Sequence, residues 1–305
     1  MNQVKISKNV KTPIQPGMFG LFFEDINYAA DGGLYAEMLE NRNFEFQESR
    51  GYYDHYSQDF DGLYGWSACS GQGKLALDTQ KPQNEVNPHY LHFTAMAAGD
   101  GFTNKAYDGI CLNKGENYRV SFWARTSAFG GKVLVHVEKD GQLYTDQAEI
   151  AGLTGEWKKY ELTLTAAAQV RSASFVICLS EAGSVDFDMI SMMPENAVCG
   201  LFRRDLAELL KELQPGFLRF PGGCIVEGNT LDNRYRWKES VGCPEGRRSN
   251  FNRWAVHGTS EENGYHTEYS HYNQTLGLGF YEYFLLCELI GARPLPVLNV
   301  GLACQ

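Results

Sequence analysis

Three short apolar runs in this chain each stop at residues that could meet a ligand. Phe19–Asp25, FGLFFED, ends in the carboxylates Glu24 and Asp25. Phe217–Gly223, FLRFPGG, ends in a Pro-Gly-Gly turn followed by Cys224. Leu295–Gly301, LPVLNVG, ends in Asn299 and a glycine. Each run reads as a strand of a parallel α/β barrel, a fold whose chemistry sits at the carboxyl ends of its strands. Glycines at such a tip, Gly223 among them, let backbone approach a ligand without a Cβ clash. Carboxylate, amide and turn together describe a polar pocket floored by strand ends. Glu24 is open to two readings: a ligand-binding carboxylate, or the ion-pair partner of Arg42 or Arg219. Asp25 reads as structural.

The elements that would position these groups follow from periodicity. Val4–Ile6 reads as a short strand and Met18–Ile26 as the first strand with a carboxylate tip. Gly32-Gly33 breaks it, and Leu34–Glu40 reads as a helix with Leu34, Met38 and Leu39 on one face. From Phe46 to about Met193 helical periodicity disappears. Tyr118–Ala124, Lys132–Glu138, Trp157–Leu164, Ser174–Leu179 and Val185–Ser191 alternate apolar and polar residues between turn residues such as Asp140-Gly141. Short strands at this spacing imply a β-sandwich of jelly-roll type. Helical logic resumes at Arg203, where Leu206, Leu209, Leu210 and Leu213 make one apolar stripe. Residues 225–275 form a long polar excursion on the strand-tip side, a usual place for a functional loop. Leu278–Ile290, ended by Gly291, is the next helix, and Pro294–Val300 the next strand. The expected division is 1–46 for the N-terminal strand and first barrel unit, 47–193 for the inserted sandwich, and 194–305 for barrel strands two and three with their helices.

Composition narrows the ligand class. The 305 residues carry a formal charge of -10, which argues against nucleic acid or an anionic membrane surface as partner and fits a neutral substrate. An apolar fraction of 43% is enough for a sizeable core, and the 13% aromatic content suits sugar stacking as well as packing. None of the 8 cysteines forms a C-x-x-C pair, so mostly buried thiols in a reducing compartment are expected rather than zinc or redox chemistry. No run reaches transmembrane length, and MNQVKISKNV lacks the apolar core of a signal peptide. A cytoplasmic location is expected, or export if a signal peptide has been removed.

FGLFFEDINYAADGGLYAEMLENRNFEF, LRFPGGCIVEG and GLGFYEYFLLCELIGARPLPVLNVG resemble, in order and spacing, glycoside hydrolase family 51. The resemblance covers residues 17–46 and 200–305 and is closest to the α-L-arabinofuranosidases with a β-sandwich inserted after the first barrel strand. YRVSFWAR, GEWKKYELTLT and VDFDMISMMP resemble carbohydrate-binding jelly rolls in general. The resemblance implies a (β/α)₈ barrel, of which this chain supplies the first three strand-helix units. It also implies a retaining enzyme that releases terminal α-L-arabinofuranosyl groups from arabinan, arabinoxylan or their oligosaccharides. Retention needs two carboxyl groups about 5–5.5 Å apart. In the family these lie at the tips of strands four and seven, so both catalytic glutamates are expected beyond Gln305 and no catalytic residue within this chain. By the same resemblance Glu24 hydrogen-bonds sugar hydroxyls, Cys224 lines the sugar pocket and Trp254 forms its wall; Gly223 and Asn299, at the second and third tips, are further substrate-binding candidates. Relatives are often homo-oligomers, which extends here only by analogy. No cofactor and no metal are expected.

Other residues are set aside. Asn84-Glu85 imitates the family's acid/base pair but sits inside the insert without a barrel strand before it. Trp237 is a weaker wall candidate than Trp254. Glu227 follows the second tip at a position the family does not use. His55, His257, His266 and His271 lack metal-ligand spacing, and Asp186 and Asp188 read as turn residues rather than calcium ligands. Two other functions stay open on the residues alone: a non-catalytic carbohydrate-binding protein, and a related barrel glycosidase such as an endoglucanase or xylosidase.

Overall fold

The computed structural model describes residues 13–15, 17–46, 48–49, 58–59, 62–69, 72–228, 230–252 and 273–304. The expected strand Val4–Ile6 lies outside them. The three tip-bearing runs form one parallel sheet. Strand β1 (Leu21–Phe22) pairs with β2 (Phe217–Phe220), and β2 with β3 (Arg293–Pro296), in the spatial order of the sequence. The first ladder is shorter than Met18–Ile26. Its pairing continues as single bonds, from Phe23 N to Arg219 O and from Asp25 N to Pro221 O. This brings the Glu24-Asp25 tip level with the Pro-Gly-Gly turn.

Helix α1 (Arg204–Glu212) precedes β2, and α3 (Phe280–Ile290) precedes β3. Helix α3 buries Phe280, Tyr283, Leu286, Cys287 and Ile290 and ends at Gly291, whose φ of 73° suits a glycine C-cap. Phe220 stacks on Tyr283 at 5.2 Å, so the strand and the helix share one aromatic core. The leucine stripe of α1 is only partly used. Ala207 is buried and Leu206 and Leu210 pack on the core, but Leu209 and Leu213 are 58% and 63% exposed. Helix α1 meets α3 along a single line, so a four-residue stripe is wider than its contact.

The segment read as a helix over Leu34–Glu40 is not one. Ala30–Leu34 makes a single wide turn with Asp31 and Gly32 in non-helical conformations, and Tyr35 is extended, bridging Phe202. The reason is that the apolar residues serve two cores. Leu34 packs with the parallel sheet, whereas Leu39 and Phe44 pack inside the sandwich. A helix would have sent them to one side. The Glu37 carboxylate instead accepts hydrogen bonds from Leu39 N and Met192 N, which pins the linker between the cores.

The alternating segments form two antiparallel sheets. One runs 158–165, 117–125, 183–194, 90–95, 74–78. The other runs 142–143, 132–139, 170–179, 101–104, 66–68, with 148–151 and 110–112 pairing onto its long strands. Period-two burial along Asn117–Arg125 aims Val120, Phe122 and Ala124 inward against Phe102, Phe175 and Phe187. Full burial of each such phenylalanine contributes roughly 1.5–3 kcal/mol.

The polar excursion packs against both bodies. Arg247 is buried and bonds Glu282 at 2.8 and 3.0 Å, together with the carbonyls of Gly242, Leu276 and Gly277. Asn87, in a sandwich loop, donates to the carbonyls of Glu245 and Arg247 and accepts from Ser249 N. These bonds fasten the sandwich to the excursion.

Candidate functional site

The turn after β2 is built around Glu24. The short helix α2 (Cys224–Glu227) begins one residue beyond Gly222-Gly223, and its first N–H groups have no helical partner. Glu24 Oε1 satisfies two groups there, accepting from Gly223 N at 2.9 Å and Ile225 N at 3.2 Å. The other oxygen, Oε2, makes no hydrogen bond among the described residues. Neither arginine of the alternative reading pairs with Glu24. Arg42 is buried beside Glu37 and Tyr35, and Arg219 lies over the Phe22 ring at 4.4 Å. Glu24 is therefore a half-buried carboxylate with one oxygen fixed and one open.

The steric need for glycine falls on Gly222. Its φ is +157°, and a Cβ there would lie 2.3 Å from Ile225 Cγ2 and 2.8 Å from Glu24 Cγ. At Gly223 the nearest atoms would be 3.7 Å away, an ordinary contact. Cys224 is half-buried as the first residue of α2. Asn299 reaches the same turn from the third tip, donating to Val226 O at 2.9 Å and Leu302 O at 2.7 Å and accepting from Gly301 N. Glu24, Gly223, Cys224 and Asn299 thus meet around residues 223–226. Trp254 lies outside the described residues, as do His55, His257, His266 and His271.

Asp25 turns the opposite way. It is 3% exposed and accepts from Ala30 N at 3.1 Å and Gln274 Nε2 at 2.7 Å. Burial, reinforced by the nearby Asp31 charge, pushes its carboxyl up to about 7 despite those bonds. Glu40 is pushed up to about 8, first by burial and then by Asp31. Asp31 itself is raised by burial while it accepts from the backbone and hydroxyl of Thr275. Asp25 and Asp31 tie the linker to the excursion, so the tip presents Glu24 alone.

The residues set aside earlier have structural places. Asn84 accepts from Val86 N in a sandwich loop, and Trp237 packs against Phe280 at 5.8 Å. Asp186 joins Arg125 and His92 rather than closing a turn, and Asp188 is buried at a strand irregularity where it accepts from Met189 N. No group of His, Cys, Asp and Glu among the described residues could hold a metal ion. None of the cysteines forms a disulfide, but only Cys287 is fully buried, while Cys111, Cys199 and Cys243 are exposed at turns and strand faces, contrary to the expectation of mostly buried thiols. Asn87 and Arg247 had no signal in the sequence, because each bonds groups about 30 to 160 residues away.

Chemically, an open carboxylate oxygen beside a glycine turn can accept hydrogen bonds from ligand hydroxyls, and such charge-assisted bonds are strong. One carboxylate cannot perform retaining hydrolysis, which needs two.

Comparison with known proteins follows the same two bodies. Residues 209–305 match the family model described as an alpha-L-arabinofuranosidase 1 domain, and residues 36–183 match one described as a carbohydrate binding domain. An extracellular exo-alpha-L-arabinofuranosidase of Streptomyces chartreusis is 36% identical over 93% of this chain and 32% of its own length. Alpha-L-arabinofuranosidase 2 of Arabidopsis thaliana is 30% identical over 99% of this chain and 43% of its own. A solved structure of an arabinose-bound MgGH51 α-L-arabinofuranosidase superposes with a TM-score of 0.81 at 30% identity, over 97% of this chain and 46% of that one. The chain thus spans 32–46% of the length of these relatives.

Proposed function

Because the chain belongs to glycoside hydrolase family 51, as the counterpart of the N-terminal portion of its α-L-arabinofuranosidases, we propose that it forms the sugar-binding part of a retaining enzyme that releases terminal non-reducing α-L-arabinofuranosyl groups. The observation that carries this reading is Glu24, with Oε1 fixed by Gly223 N and Ile225 N and Oε2 open at the strand tip. In this reading Glu24 accepts hydrogen bonds from sugar hydroxyls, Gly223 and Cys224 line the pocket, Trp254 walls it, and Asn299 holds the turn in place. The catalytic pair belongs to the part of the family's chains that residues 1–305 do not span.

The parallel sheet then represents strands one to three of a (β/α)₈ barrel. Residues 1–46 and 194–305 build it, and 47–193 form the inserted sandwich. Two features support this. Phe22 on β1 and Leu295 on β3 lie in one register row on the same face and are 53% and 48% exposed, as expected of a barrel's inner face that opposite strands would cover. The substrate is an arabinofuranosyl-bearing oligo- or polysaccharide, held in part by the sandwich. Export is supported by the extracellular Streptomyces relative. No helix among the described residues is long and apolar enough to cross a membrane.

The test is turnover by the full-length protein on a panel of chromogenic glycosides. The reading expects cleavage of the α-L-arabinofuranoside well above the β-D-xylopyranoside and β-D-glucopyranoside. Preference for either pyranoside would overturn it, and the 305-residue chain alone should release nothing above buffer.

A further inference from the structure

A cavity of about 450 Å³ lies where the sandwich loop 86–89 meets the excursion, and neither Glu24, Cys224 nor Asn299 lines it. Its size falls within the roughly 300–1,000 Å³ usual for ligand sites. Not all of its charges are paired. Glu45 is taken by His89 at 2.7 Å, and Glu239 by Arg236 at 3.2 Å. Among the described residues Arg234, Arg248 and Asp232, which also line it, form no ion pair. The three arginines and three carboxylates of the lining balance in formal charge, but Arg234 and Arg248 are left without a carboxylate partner among the described residues. Arg234 spends one donor on Leu231 O, while Arg248 is exposed and makes no hydrogen bond among the described residues.

The rest of the lining suits a sugar. Thr230 and Ser249 offer hydroxyls, Asn250 offers a carboxamide, and Phe251 and Tyr235 offer rings. Tyr235 is 5% exposed and contributes its ring to the wall. Such a mixture of donors and acceptors matches a polyhydroxylated ligand, and the guanidinium fork matches one carboxylate on it.

We propose that this junction cavity is a second glycan site, separate from the strand tips, that takes an oligosaccharide carrying a uronic acid. Arg248 and Arg234 hold the carboxylate, and Asp232 and Asn250 hold neighbouring hydroxyls. An enzyme acting on decorated polysaccharide would thereby grip an acidic unit of the chain away from the reacting arabinose. The proposal rests on the function above only in taking the ligand to be part of a polysaccharide.

The test is calorimetric titration of the chain with trigalacturonate, with neutral arabinotriose, and with sulfate as a plain anion. Glu24→Gln is used as the background so that the strand tip does not contribute. Trigalacturonate is expected to bind at least tenfold more tightly than arabinotriose, and Arg248→Ala to weaken it about tenfold. Raising salt from 50 to 500 mM should weaken it further, and sulfate should compete only at far higher concentration. Arg248 is exposed and unpaired, so its loss leaves the fold intact, and an unchanged melting temperature checks this. Equal binding of the neutral trisaccharide, an Arg248→Ala variant with undiminished affinity, competition by sulfate at matching concentration, or no binding at all would each overturn the proposal. Uronide binding by this chain, together with failure of the full-length wild-type protein to cleave arabinofuranosides, would sink the enzymatic reading and leave this one standing.

Discussion

Replacing Asp25 with Asn should stabilise this protein at neutral and higher pH. Asp25 sits beside Glu24 but is buried, and its carboxyl is raised from 3.8 to about 7 by burial and by Asp31. A carboxyl raised in the folded state binds its proton more tightly folded than unfolded. Its contribution to stability is therefore fully present below pH 4 and is lost as pH rises through about 7. The gap between the two values corresponds to about 4 kcal/mol as an upper bound, at 1.36 kcal/mol per pH unit. Asparagine is neutral throughout and removes this loss. Its Oδ1 can keep the bond from Ala30 N. Its Nδ2 would face Gln274, whose Oε1 has no hydrogen-bond partner among the described residues and can turn to accept. Urea denaturation of both proteins at pH 5, 6, 7 and 8 reads the effect. The variant should gain on the wild type mainly between pH 5 and 7 and little from pH 7 to 8, by up to about 2.6 kcal/mol at pH 8 relative to pH 5. Glu40, also raised, acts equally in both proteins and cancels. Parallel pH profiles would refute the reasoning, since they would mean that Asp25 is ionised at no cost.

Gly222→Ala should cost about 2–3 kcal/mol by overpacking against Ile225 and Glu24, whereas Gly223→Ala should cost less than 1; melting temperatures compare the two. Arg247→Ala should destabilise by about 3–5 kcal/mol because Glu282 would remain buried without its partner. The double variant Arg247→Met with Glu282→Gln should recover most of that loss in denaturation. Phe187→Ala, in the sandwich core, should cost about 3–5 kcal/mol by the same measurement.

Much of the fold was legible because its signals are local. Period-two alternation located all five long sandwich strands, and the Gly291 stop located the end of α3. The three tips were readable because each joins a strand to a breaking residue. Leu34–Glu40 misled because spacing alone does not say how many cores a segment serves, and Leu34 and Leu39 go to different ones. The stripe on α1 misled in a related way, since an apolar face shows only that burial is available, not that a neighbour fills it. Long-range polar bonds were invisible. Nothing near Asn87 announces three backbone partners in the excursion. Nor does FPGG say which glycine faces the Glu24 side chain.

The most direct test of the account is kcat/KM on a chromogenic α-L-arabinofuranoside for the full-length protein with Glu24→Gln, beside its melting temperature. Glutamine keeps the shape, and its carbonyl can still accept from Gly223 N and Ile225 N, but the open acceptor and its charge are lost. A charge-assisted hydrogen bond is worth about 1.5–3 kcal/mol, so kcat/KM should fall roughly ten- to a hundredfold or more with little change in melting temperature. Undiminished activity, or a loss that follows unfolding, would contradict the placement of the sugar at this tip.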